Sequence, residues 1–407
     1  MNIAVVGAGL TGCLAALHAA RRGAQVTVFE SETRLGGIVR DVEVQGQRYY
    51  NGCQYFRPGA LDALGLSQGL KVFPHEYGSL TLLGNQQARL LDDCAQPALD
   101  GQAELSPHAV LDGTALQRLS AYGPHADRLI AWASGFGKLD ELDQRCVLHM
   151  QLSRIFYPED AELQAKKVAD AEADALIALP RRIRQPGSQA EPAMLPPDGF
   201  DPFLSQLEET LKENGVRLQM NSPVKLMDDS PGLRLYSRGQ EQVFEQVVWA
   251  SNPTALLQRV CDIRLKTPPI AMTLWVGQFN NIGEAPCPVP LPYYWQVFDD
   301  SSPVIRVYVY RLQGHLRFSV EAFERPGVDS QQTLAQVFQR LGLPSEFDLA
   351  ASIPQLRHVN FSTTELTAMQ ASTPALLARG IIPGGWCHYG REEKVASMKR
   401  CLDQVLP

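Results

Sequence analysis

Two apolar runs with a glycine turn between them limit this chain more than anything else in it. Ile3-Ala4-Val5-Val6 reads as a buried parallel strand. Gly7-Ala8-Gly9-Leu10-Thr11-Gly12 follows at once, and Cys13 to Arg22 has the composition of a helix that Gly23 stops. Val26-Thr27-Val28-Phe29 is a second strand and ends on Glu30. The order is strand, glycine turn, helix, strand, acid. A β-α-β unit of this kind binds a dinucleotide. Gly7 permits the tight turn, Gly9 lets a pyrophosphate approach the backbone, and Gly12 lets helix and strand pack closely. Leu10 and Thr11 open the helix, whose free N–H groups and dipole favour phosphate. Glu30 and the neighbouring Ser31 stand where a ribose hydroxyl is bound, and an acid there disfavours a 2′-phosphate.

Arg34-Leu35-Gly36-Gly37 lies just beyond. A second glycine pair with an arginine adds backbone donors and one cation near the phosphates. G-x-G-x-x-G, an acid and then R-x-G-G together resemble the flavoprotein clan of amine oxidases, protoporphyrinogen oxidases and UDP-galactopyranose mutases. The resemblance implies FAD as cofactor and an α/β chain of two lobes. One is a Rossmann-type FAD lobe that the chain visits three times, over 1–58, 198–254 and 375–407. The other is an α+β substrate lobe over 59–197 and 255–374, with an antiparallel sheet and a helical insertion at about 114–178. In the clan a G-x-H-x-F segment lies beside the flavin ring; here Gly52-Cys53-Gln54-Tyr55-Phe56 takes its place. Gln54 replaces the histidine and does not titrate near neutrality. The second visit places Val224 at a main-chain contact to adenine. The third brings Tyr389, Glu393 and Val395 to the ring, with a helix N-terminus at the flavin O2 edge.

The 407 residues allow two lobes, and the net charge of -7 shows no basic block, which argues against nucleic-acid binding. No apolar run reaches membrane-spanning length. The first strand begins too early to leave room for a leader peptide. The eight cysteines form no C-x-x-C pair, and no Cys/His set has metal-ligand spacing. A reducing, cytoplasmic setting without a metal is expected. Oligomeric state is not legible.

Elsewhere, strands are expected at 70–73 and 79–83 around a turn at Tyr77-Gly78. Helices are expected at 116–119, 129–132, 139–150 and 166–179, and a linker at 180–197. A helix at 203–214 and a hairpin from Leu233 to Phe244 follow. The β-rich region from 256 to 365 holds the clearest strand, Val304 to Arg311. Its alternation separates Ile305, Val307 and Val309 from Arg306, Tyr308 and Tyr310. The second set either lines a substrate cavity, with Arg306 pairing an anion, or lies flat against water. Arg181, Arg182 and Arg184 form either an anion clamp or a solvated loop; in the mutases an arginine segment of this kind helps bind substrate, and the resemblance makes Arg181 or Arg182 its counterpart, of which Arg182 is taken as the candidate. Gln54, Arg182, Arg306 and Tyr308 are thus the candidate catalytic residues. The expected activity is a FAD-dependent oxidoreductase on an anionic small molecule, possibly a nucleotide-linked sugar. A mutase-like isomerase and a non-catalytic flavin binder are the alternatives.

Overall fold

The structure is a computed structural model. It describes residues 1–56, 113–120, 126–146, 192–227, 233–280 and 291–406, with shorter pieces between 59 and 92 and between 150 and 169. The first two apolar runs become the strands Asn2–Val6 and Gln25–Phe29, joined by the helix Leu10–Arg21. They sit inside a five-stranded parallel sheet. Its order is Ile381–Pro383, Gln246–Trp249, Asn2–Val6, Gln25–Phe29, Arg217–Gln219. Strands from the start, the middle and the end of the chain therefore share one sheet.

Alternation decides what each face of this sheet covers. Ile3, Val5, Val26, Val28, Val248 and Ile382 pack under the first helix, the helix Phe200–Glu213 and the C-terminal helix Arg391–Asp403. Ala4, Val6, Phe29, Val247, Trp249 and Ile381 face the other way. There they meet Leu226, Leu233, Leu235 and Phe244 of a three-stranded antiparallel sheet. Each fully buried Val or Ile contributes roughly 1.5–3 kcal/mol over exposure. Both faces are covered over the central strands, which is why Asn2–Val6, Gln25–Phe29 and Gln246–Trp249 read as apolar runs.

A seven-stranded sheet forms the second layered unit. Its order is Phe347–Arg357, Ile270–Phe279, His315–Phe323, Val304–Leu312, Tyr293–Phe298, Glu76–Thr81, Arg89–Asp92. All pairings are antiparallel except Tyr293–Phe298 with Glu76–Thr81. Trp295, Val307, Val309, Phe318 and Val320 pack on the helix Ser330–Arg340. The opposite face meets the loop that follows the hairpin Asp41–Val44/Gln47–Tyr50.

Several local expectations change. Tyr77-Gly78 lies inside the strand Glu76–Thr81, whose pairing with Tyr293–Phe298 overrides a local turn signal. Residues 139–146 form turns and a short 3-10 segment, Gln144–Cys146, instead of a helix. Pro192–Leu195, read as linker, is a strand paired with Lys71–Pro74. Two long elements had not been expected: the strand Phe347–Arg357 and the helix Thr363–Ala378. Most of 166–179 and all of 180–191, with Arg181, Arg182 and Arg184, lie outside the described residues. Among the described residues no helix is long and apolar enough to cross a membrane.

Candidate active site

The glycine turn is built as a cradle. Gly7 has φ +98°, a conformation that L side chains rarely adopt, and its N–H donates to Phe29 O at 2.8 Å. A Cβ on Gly12 would stand 1.9 Å from Gly7 O, so only glycine lets the helix lie this close. A Cβ on Gly9 would meet no atom within 4 Å. Gly9 is also the N-cap of the helix, with no side-chain cap and no acid in the first turn. The helix therefore begins without a side-chain cap for its leading N–H groups, beside the open space at Gly9. Gly36 and Gly37 close the second side. Gly36 N–H donates to Ala8 O at 2.8 Å, Gly9 and Gly36 form a parallel bridge, and a Cβ on Gly37 would lie 3.2 Å from Gly9 Cα.

Glu30 supports the cradle from below. Its Oε2 accepts from Ala8 N–H at 2.7 Å, and its Oε1 accepts from Ser31 O–H at 3.1 Å and Glu32 N–H at 2.9 Å. Oε2, which accepts one bond, still has lone-pair capacity for a ribose hydroxyl. The chain returns beside it: Ser222 N–H donates to Glu30 O at 2.7 Å and Asn221 N–H to Glu32 O at 2.8 Å. This places Val224 next to the acid, half-buried against the core. Cys13 lies beneath the turn and donates to Ala8 O at 3.3 Å; burial, with Glu30 nearby, pushes its thiol up to about 12.

Arg34 does not stand free above the cradle. Its guanidinium pairs with Asp201 at 3.3 Å and reaches Asp41 O at 3.4 Å. Asp201 lies in the first turn of the helix Phe200–Glu213, and Asp41 caps that helix by accepting from Phe200 and Asp201 N–H at 3.0 and 3.1 Å. The arginine fixes the R-x-G-G turn to that helix, and the turn's glycine backbone faces the cradle.

The third visit closes the opposite rim. Gly384 N–H and the Trp386 indole both donate to Trp249 O, at 3.0 and 2.7 Å. Tyr389 is buried, and its hydroxyl accepts from Phe361 N–H at 3.0 Å, so this side chain ties the segment to the core. Burial raises its phenol above the ordinary range. The helix Arg391–Asp403 has Gly390 as N-cap and no side-chain cap; the Glu393 carboxylate lies about this terminus, 3.1 Å from where a Gly390 Cβ would be. Val395 packs beneath, on the core of the parallel sheet.

The loop from Tyr50 to Phe56 divides this cradle from the seven-stranded sheet. Tyr50 is gripped on both sides: its N–H donates to the Tyr310 hydroxyl at 2.8 Å, and Ser319 O–H donates to its carbonyl at 2.7 Å. The rings of Tyr50 and Tyr310 stack at 4.2 Å. Gly52 makes room for a buried ion cluster, since a Cβ there would lie 2.2 Å from Glu321 Oε1. Glu321 takes Arg306 at 3.2 Å and Arg357 at 3.0 Å. Arg357 also donates to Asn51 O at 2.5 Å, and Gln355 Nε2 to Asn51 Oδ1 at 2.7 Å. On the cradle side, Gln54 Nε2 donates to Ile38 O at 2.6 Å and Asn51 O at 3.1 Å, leaving its buried Oε1 with no partner. On the sheet side lies Cys53, whose thiol is pushed well above its usual range by burial, with Glu321 adding to it.

Arg306, Tyr308 and Tyr310 are buried, so the reading in which they lie against water is wrong: the loop covers them. Arg306 meets the Glu321 carboxylate and does not stand as an isolated cation. Gln54, Arg306 and Tyr308 are brought to the two sides of one loop, while Arg182 is outside the described residues. Sequence reasoning missed Asn51, Glu321, Gln355 and Arg357. Nothing local marks them, because their partners lie tens to hundreds of positions away.

Residues 5–64 match the family of NAD(P)-binding Rossmann-like domains. No curated protein sequence is similar enough to count as a match. Solved structures similar in fold span nearly the whole chain. An Exiguobacterium protein assigned as a protoporphyrinogen oxidase has TM-score 0.65 and 16% identity over 99% of this chain and 98% of its own. Putrescine oxidase bound to putrescine has TM-score 0.63 and 15% identity over 100% and 99%. Reduced UDP-galactopyranose mutase has TM-score 0.67 and 15% identity over 100% and 95%. At these identities the likeness establishes the fold: a Rossmann-type α/β lobe joined to an antiparallel sheet.

Proposed function

We propose that this chain is a FAD-dependent oxidoreductase acting on a small molecule. The observation that carries the reading is the uncapped helix N-terminus at Gly9, with free space above it and the Gly36-Gly37 turn alongside. These features fit a diphosphate: bare main-chain donors, a positive helix end and no side chain in the way. Main chain at Gly7, Gly9, Leu10, Thr11 and Gly12 would hold the diphosphate, with Gly36 and Gly37 beside it. Glu30 and Ser31 would take the ribose, main chain at Val224 the adenine, and the segment from Tyr389 to Val395 the ring. Bound there, flavin would supply the redox chemistry by accepting a hydride from substrate. The protein's part is to orient both and to exclude water at the buried Tyr50–Phe56 loop. Gln54, whose buried Oε1 has no partner, would offer the ring an acceptor and no titrating proton.

The likeness to UDP-galactopyranose mutase supports a second reading, an isomerase that uses reduced flavin without net redox change. An anionic or nucleotide-linked substrate would then rely on Arg182, because Arg306 is engaged by Glu321. Anaerobic mixing with substrate separates the two. An oxidoreductase bleaches its oxidised flavin. A mutase needs prior reduction and turns over a sugar nucleotide with no change in flavin absorbance.

A further inference from the structure

The cradle uses one end of the parallel sheet, the carboxyl ends of its strands. At the other end, where Asn2–Val6, Gln246–Trp249 and Ile381–Pro383 begin, lies a second cavity of about 820 Å³. Cavities that hold small molecules run from about 300 to about 1,000 Å³. At about 3.3 Å per residue, the strand Asn2–Val6 alone sets the two sites about 13 Å apart. Leu226, Leu233 and Phe244 form the floor. Met227, Val243 and Ala378 line the cavity further out. None of these three is buried, and Val243 is 54% exposed, so the cavity opens to solvent and a ligand can enter it. Gly380, with φ +75°, closes the far wall. It turns the helix Thr363–Ala378 into the strand Ile381–Pro383, and a Cβ there would lie 3.2 Å from Leu233 Cδ1.

Two charged side chains, Glu245 and Arg379, stand at the rim, and both are exposed. Glu245 is answered within the chain: its Oε1 accepts from Asn2 N–H at 2.8 Å and meets the Met1 ammonium at 3.9 Å. Arg379 presents a planar fork of five donors, a shape that matches a carboxylate. The C-terminal end of the helix Thr363–Ala378 adds about half a negative charge. Its Leu376 and Leu377 carbonyls already accept from Arg379 and Gly380 N–H, at 3.0 and 2.9 Å. The rim therefore carries two full positive charges against one full and one half negative, above an apolar floor. An ammonium would meet the arginine there. We propose that this cavity binds a small amphipathic carboxylate, its apolar chain against Leu226, Leu233 and Phe244 and its head group on Arg379. The site is separate from the cradle and does not depend on the flavin reading.

The test uses three probes that differ only in the head group: octanoate, octylamine and 1-octanol, each kept below its micelle or solubility limit. Binding is read by calorimetry on the purified full chain, which needs no flavin signal, and flavin content is measured separately. Octanoate should bind most tightly, at one per chain. Arg379→Gln should weaken it about tenfold, the loss of a charge-assisted hydrogen bond, and Arg379→Lys should keep most of the affinity. Ala378→Trp places a large side chain in the mouth from an exposed position and should abolish octanoate binding. Melting curves on the same samples show that each variant is folded, and flavin content should match wild type in all of them. No octanoate binding overturns the proposal, as does equal or tighter binding of octylamine. Octanoate binding that survives both Arg379→Gln and Ala378→Trp places the ligand elsewhere and also overturns it. If the protein carries no flavin, the flavin reading fails on that measurement alone, and the probe ranking still reports on this cavity.

Discussion

At the scale of single residues, two glycines three positions apart do opposite work. Gly9 and Gly12 look alike in the motif, yet a Cβ on Gly9 meets nothing within 4 Å while one on Gly12 lies 1.9 Å from Gly7 O. Gly9→Val should therefore fold and melt close to wild type but retain no cofactor. Gly12→Val should fail to fold or melt far lower, since the crossover helix cannot move off its strand. Circular dichroism melts and flavin absorbance at equal protein concentration check both. Glu30→Ala removes the acceptor of the Ala8 N–H, and should weaken FAD binding by up to about 3 kcal/mol, measured by fluorescence titration. Glu321 is a third case. It is the counter-charge of both Arg306 and Arg357, so Glu321→Leu leaves two buried guanidiniums facing each other. A loss of roughly 3–5 kcal/mol in urea unfolding is expected. The glycines and the acid were legible because their chemistry is local. The ion cluster was not, because its members meet only when Gly52 passes under the far sheet.

At the scale of elements, the crossover unit and the strand Val304–Leu312 were readable because one period runs through each. The strand Phe347–Arg357 was not. It is an edge strand with alternating exposure, and Pro354 in its middle argues against a strand by local rules. Tyr77-Gly78 misled for the converse reason, since tertiary pairing outweighs a turn signal. The helix Thr363–Ala378 begins with a capping box of Ser362 and Glu365. Glu365 also accepts from Lys266 N–H and from Thr267, so it clamps the helix to the entry of the strand Ile270–Phe279. Burial pushes its pKa up, but these hydrogen bonds outweigh it and the net direction is down. A depressed carboxyl adds stability above its unfolded pKa and loses it as pH falls through the folded value. Glu365→Ala should cost about 1–2 kcal/mol at neutral pH. The gap to wild type should close in the acid range, below the ordinary glutamate pKa, as urea melts at several pH values would record.

At the scale of the whole molecule, three stretches far apart in sequence join one parallel sheet, and the rim of that sheet carries the cradle. Asn2–Val6, Gln25–Phe29 and Gln246–Trp249 could be read singly from their apolar runs; Arg217–Gln219 and Ile381–Pro383 are three residues each and carry no such run, and pairing across 200 residues leaves no local mark. The wall opposite the cradle was half legible. Alternation put Arg306, Tyr308 and Tyr310 on one face, but only packing shows that the loop after Tyr50 covers them. The central claim is that this assembly holds FAD. It is tested most directly by expressing the chain, purifying it, and recording its visible spectrum before and after incubation with FAD and removal of the excess. The account predicts a yellow protein with flavin bands near stoichiometric content, lost in Gly9→Val. A colourless protein that stays colourless after incubation would contradict it.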